Sequence, residues 1–179
     1  MRRLIPLLCA VTLVVALGCN SRPEGMISVT SAGSLQLQHE IFWTQETMDW
    51  DVRVDCTRSG SVGHQTLHVS AYDNTFRDGL FLDLRVQEFS GNGDYVRTEN
   101  QPQSALRLTL TDDLTDTWTL DTSSGGACDF TIDSAGRTGT YTCTDVYGWV
   151  SETLTFADIE ISGEWSCTGI YWEDDPLTE

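Results

Sequence analysis

The chain has 179 residues, with 27 aspartates and glutamates against ten arginines, no lysine and a formal net charge of −17. That balance disfavours nucleic acid as a partner, because phosphate neutralisation needs clustered basic side chains. It also rules out lysine nucleophiles and disfavours an electrostatic grip on anionic lipid.

Met1-Arg2-Arg3 forms a positive start, followed by a 14-residue apolar run from Leu4 to Leu17 interrupted by Pro6 and Thr12. A bilayer-spanning helix needs about 20 apolar residues, so the run reads instead as an export signal over residues 1–18. Ala16-Leu17-Gly18-Cys19 resembles the lipobox of bacterial lipoproteins, although Ala16 stands where leucine is common. The resemblance implies cleavage before Cys19, a lipid on its thiol, and membrane attachment through that lipid. Asn20, rather than Asp, implies an outer-membrane destination in the cell envelope. Residues 19–25 form the lipidated cysteine and a short tether. The mature chain carries 27 acids against eight arginines, a formal charge of −19.

Residues 26–172 read as one antiparallel β domain, because apolar residues recur at every second position. The pattern runs through Leu35-Leu37-His39-Ile41-Trp43, Met48-Trp50-Val52-Val54-Cys56 and Leu67-Val69-Ala71. It continues through Leu80-Leu82-Leu84-Val86, Leu106-Leu108-Leu110, Cys128-Phe130-Ile132, Tyr141-Cys143 and Ile159-Ile161. No window holds a helical period. Ten to twelve short strands separated by turns predict an antiparallel β-sandwich, with an up-and-down barrel as the alternative. Apolar positions change from even at Leu154 and Phe156 to odd at Ile159, which predicts a bulge or tight turn near Ala157-Asp158.

Export places the chain in an oxidising compartment, where Cys56, Cys128, Cys143 and Cys167 favour two disulfides over metal. None of them forms the C-x-x-C knuckle of a zinc site. Cys128 to Cys143 reads as a hairpin turning at Ala135-Gly136, with Phe130 opposite Tyr141 and Ile132 opposite Gly139. That register sets Cys128 against Cys143 and leaves Cys56 for Cys167. The stretch Gly139-x-Tyr141-Thr142-Cys143-Thr144-x-Val146-Tyr147 returns 24 residues later as Gly163-x-Trp165-Ser166-Cys167-Thr168-x-Ile170-Tyr171. The glycine of each copy leaves room for an inward-facing aromatic. These cysteine-bearing copies resemble segments of uncharacterised envelope lipoproteins, a likeness covering about 35 residues that implies no activity.

Few residues offer chemistry. His64 and His68 lie about 13 Å apart on one strand face, too far to share a metal ion directly. His39 falls on an apolar face, as a rim histidine would. Asp73, Asn74 and Asp78, and Asp112, Asp113 and Asp116, invite a calcium reading, but neither stretch has EF-hand spacing and both suit turns. Recognisable enzymatic motifs are lacking, so no catalytic residue, cofactor or metal is expected. Tyr147, Trp149, Tyr171 and Trp172 form the expected aromatic contact surface, toward a glycan or an envelope protein. Residues 173–179 are an acidic tail. The sequence thus predicts a lipid-anchored envelope β-domain that binds or builds structure. A surface glycan hydrolase using Asp or Glu is the alternative.

Overall fold

A computed structural model of the chain describes residues 24–33, 35–44, 51–61, 63–77, 79–98, 101–102, 104–112, 116–122, 126–146, 148–150, 153–155 and 159–172. The strands are β1 (Gly25–Gly33), β2 (Leu37–Trp43), β3 (Val52–Ser61), β4 (His64–Asp73) and β5 (Leu80–Val86). Then follow β6 (Gly93–Thr98), β7 (Gln101–Pro102), β8 (Ser104–Asp112), β9 (Asp116–Asp121) and β10 (Ala127–Asp133). The last are β11 (Thr138–Thr144), β12 (Gly148–Val150), β13 (Thr153–Thr155), β14 (Ile159–Cys167) and β15 (Tyr171–Trp172).

They form two sheets, one ordered β2-β1-β14-β11-β10-β6-β7 and the other β13-β12-β9-β8-β5-β4-β3-β15. Pairing is antiparallel except where β15 joins β3 in parallel. Neither sheet closes on itself, so the barrel alternative is set aside and the fold is an open sandwich. The alternation explains the core. Val54, Cys56, Leu67, Val69, Leu82 and Leu84 face Ile27, Val29, Ile41, Phe130, Ile161 and Trp165 in one buried cluster.

Strand β3 runs across several strands of the other sheet. Successive inward residues of β3 meet successive strands of the other sheet: Val54 packs on Gly25 of β1, and Cys56 is bonded to Cys167 of β14. Arg58 then donates to Ala135 O, 2.7 Å away, in the 3-10 turn Ser134–Gly136 between β10 and β11.

Both disulfides join the expected partners. Cys128 stands directly opposite Cys143, with Cα atoms 4.1 Å apart, and Phe130 pairs with Tyr141 and Ile132 with Gly139. Cys56 and Cys167 tie the two sheets together, with Cα atoms 6.4 Å apart.

The repeated stretches prove to be neighbours. β11 and β14 pair so that Gly139 faces Trp165 and Tyr141 faces Gly163. Each aromatic therefore lies across the glycine of the other copy. Tyr141 crosses β14 to donate to Ser28 O on β1 at 2.7 Å, and Trp165 donates its indole N–H to Gly136 O at 3.1 Å. Burial drives the Tyr141 hydroxyl far above its ordinary pKa, so it stays a neutral donor.

Some expectations need adjustment. The tether was expected to run through Gly25, but Gly25 already begins β1, paired with Cys167 and Trp43. The change of parity after Leu154 coincides with a change of sheet: β13 belongs to the eight-stranded sheet and β14 to the seven-stranded one. Ala157 and Asp158 themselves, like Cys19, Met48, Trp50, Tyr147 and the tail 173–179, lie outside the described residues.

Candidate functional site

The chemistry gathers on the outer face of the eight-stranded sheet. Strands β3, β4, β5 and β8 are consecutive neighbours, so their outward residues form lateral rows. One row is Arg53, Tyr72, Phe81 and Thr109; the next is Asp55, Ser70, Asp83 and Arg107; the third is Thr57, His68 and Arg85. Three arginines and a histidine stand among two carboxylates. This field is locally cationic on a chain with a net charge of −17.

Asp83 is its centre. Although on the outer face, it is only 6% exposed, since its neighbours fold over it. Arg85 donates Nη2 to Oδ2 at 2.8 Å and Nε to Oδ1 at 3.2 Å, while His68 Nε2 lies 2.8 Å from Oδ1. Burial pushes the Asp83 pKa up, but the hydrogen bonds from His68 and Arg85 outweigh it and leave the carboxyl below its ordinary value. Asp55, ion-paired with Arg53, goes the other way: burial raises its pKa by more than the Arg53 guanidinium lowers it. Beside these charges Phe81 is 38% exposed, directly opposite Tyr72.

The pH dependence follows from the signs. A lowered folded-state pKa contributes stability that is present above the unfolded carboxylate value of about 4 and is lost as pH falls through the folded value. Asp83 follows this rule; Asp55, with its raised pKa, favours folding at acidic pH and loses that contribution as pH rises. Asp83→Asn is expected to cost about 2 kcal/mol at pH 7, the scale of hydrogen bonds to a charged partner. Urea midpoints at pH 7 and pH 3 check this, with the gap to wild type narrowing at pH 3. A gap independent of pH contradicts an ionised, paired Asp83.

Other sequence candidates fall elsewhere. His39 Nε2 meets Asp73 Oδ2 at 2.8 Å, and its ring stacks on Phe76 with centroids 3.8 Å apart. The second Asp73 oxygen accepts from the Thr75 amide and hydroxyl and from the Phe76 amide, at 2.8, 2.6 and 3.1 Å. Burial raises the Asp73 pKa, but the Thr75 and His39 hydrogen bonds bring it below its usual value. His39 is thus a rim histidine bonded to a turn-forming carboxylate. Asp78 and Asp113 lie outside the described residues, and among those described no three His, Cys, Asp or Glu converge as metal ligands. His64 is exposed at the start of β4, while His68 joins Asp83.

The expected aromatic surface divides by backbone position. Trp149 belongs to β12, beside β9 and β13, whereas Tyr171 and Trp172 form β15 at the far edge of the same sheet. They do not form one cluster along the strand order. Sequence reasoning did not single out Tyr72, Phe81, Asp83, Arg85 and Arg107 as a group. The available signal was the set of polar residues between the apolar ones in LHVSAY, LFLDLRV and LRLTL, once those strands are laid side by side.

The chain matches no protein-family profile, no curated protein and no solved structure. No helix among the described residues is long and apolar enough to cross a membrane.

Proposed function

We propose that this protein is a lipid-anchored β-sandwich of the bacterial cell envelope, held through Cys19 at the outer membrane, which binds a glycan with the outer face of β3, β4, β5 and β8. The observation carrying this reading is the ordered polar field around Asp83 beside the Phe81 and Tyr72 rings. Saccharides present hydroxyl groups at their edges and an apolar C–H face. Guanidinium, imidazole and carboxylate groups match the first, and aromatic rings match the second. Central strands hold the groups in fixed register, which limits the entropy lost on binding. The two disulfides fit an exported chain.

The hydrolase reading draws on one observation, the opposite pKa displacements of Asp55 and Asp83 in a single row. General acid and base pairs need such a split. Here the two carboxylates stand two strands apart on one sheet face, with Ser70 between them and each held by an arginine, rather than facing each other across a cleft. Binding is the better fit.

An array of neutral and acidic oligosaccharides tests the proposal. Wild type is expected to retain a defined subset. Phe81→Ala is expected to weaken binding about tenfold, the loss of a modest contact residue. Thr140→Ala, on the outer face of the other sheet, should leave binding unchanged. Folded wild type that retains no saccharide contradicts glycan binding, and cleaved products with loss of turnover in Asp55→Asn establish the hydrolase instead.

A further inference from the structure

Phe42 is 59% exposed, more than any other large apolar side chain among the described residues. It lies on β2, an edge strand of the seven-stranded sheet, directly opposite Met26 of β1. Trp43 follows it, opposite Gly25 and packed in part against the core. This is the corner at which the chain enters the domain. Glu24 N donates to Thr168 Oγ1 at 2.9 Å and Thr168 N donates to Glu24 O at 2.8 Å, which pins the first described residue to the end of β14.

From Cys19 to Gly25 is six residues, so the chain between them reaches at most about 20 Å even when fully extended. A lipid on Cys19 therefore holds Met26, Phe42 and Trp43 near the bilayer. Aromatic side chains favour the membrane–water boundary, where an apolar body and a wetter edge are both accommodated.

We propose that Met26 and Phe42, on the outer face of β1 and β2 with the half-buried Trp43 behind them, form a lipid-docking corner that seats the anchored domain on the bilayer surface. The proposal rests on the reading of Cys19 as lipidated. Glu24 flanks the corner and Glu40 precedes Phe42 by one outward position on β2, in a strongly acidic chain, so contact is made by apolar insertion into a zwitterionic interface and not by attraction to anionic lipid. So small an apolar patch binds weakly by itself. The tether supplies the high local lipid concentration that makes docking persistent.

The test uses the full lipoprotein purified in detergent and reconstituted into phosphatidylcholine vesicles, with amide hydrogen exchange followed over β1 and β2. Intact mass and vesicle flotation are read in parallel. Exchange in β2 is expected to slow by about threefold or more in anchored wild type relative to the detergent-solubilised protein. Phe42→Ser should remain on the vesicles without that protection. Phe42→Trp should retain it, as should Val96→Ser, which removes an exposed apolar side chain from β6. Lipidated, vesicle-bound wild type whose β2 exchanges like that of Phe42→Ser overturns docking and leaves anchoring intact. Wild type that lacks the lipid mass and fails to float overturns the anchoring reading, and the docking with it.

Discussion

Replacing Cys56 and Cys167 together by alanine is expected to remove about 5 kcal/mol of stability, whereas the same change at Cys128 and Cys143 removes about 3 kcal/mol, by the chain-entropy dependence on loop length. The first bridge closes a separation of 111 residues and the second one of 15. Their positions reinforce the difference. Cys128–Cys143 ties two strands that already share a full antiparallel ladder. Cys56–Cys167 crosses between sheets, at the corner where β3 runs over the ends of β1 and β14. Domains are stable by about 5–15 kcal/mol, so loss of the inter-sheet bridge takes much or all of that margin. Using alanine in both pairs keeps the side-chain change the same. Urea unfolding of the two double variants measures the difference, and equal losses contradict the role given to the inter-sheet bridge.

The second large effect is expected at the paired glycines. A Cβ at Gly139 collides with the edge of the Trp165 ring and falls 2.7 Å from Thr131 O; one at Gly163 falls 2.6 Å from Tyr141 Oη and also meets Ser28 O. Gly139→Ala should therefore cost about 3 kcal/mol, the upper range for overpacking a filled core. Trp165→Leu should cost a similar amount, about 3 kcal/mol, by leaving a cavity. Together the two changes should cost less than the sum, because the smaller side chain vacates the space the new methyl group needs. Part of the penalty persists, since the Thr131 carbonyl cannot withdraw. A double-mutant cycle measured by thermal or urea unfolding checks this, and strict additivity would falsify the proposed packing of Trp165 over Gly139.

These two effects also show which information was local. The repeat glycines and their aromatics carry a steric requirement readable along the chain, and the structure supplies only the fact that each copy accommodates the other. The Cys128–Cys143 register is likewise local, since a hairpin with a central turn and alternating faces has few alternatives. β1 was missed as a strand because it adjoins the tether, and its partner β14 lies more than a hundred residues away. The site around Asp83 was missed for a related reason. Asp55, His68, Asp83 and Arg107 become neighbours only when four strands are ordered side by side. His39 was legible as a rim residue from its place on an apolar face, but its partner Asp73 belongs to another strand and contacts it through the tertiary fold. The exposure of Phe42 was hidden by parity alone, since an outward position does not reveal what surrounds it.

The attachment proposed at Cys19 is measured most directly by the intact mass of the mature protein purified from its native envelope. Cleavage before Cys19 with a diacylglyceryl mass on that residue is expected, and Cys19→Ser should abolish both the added mass and membrane fractionation. A mature chain that begins elsewhere, or that carries Cys19 unmodified and fractionates as wild type does when Cys19 is replaced, contradicts it.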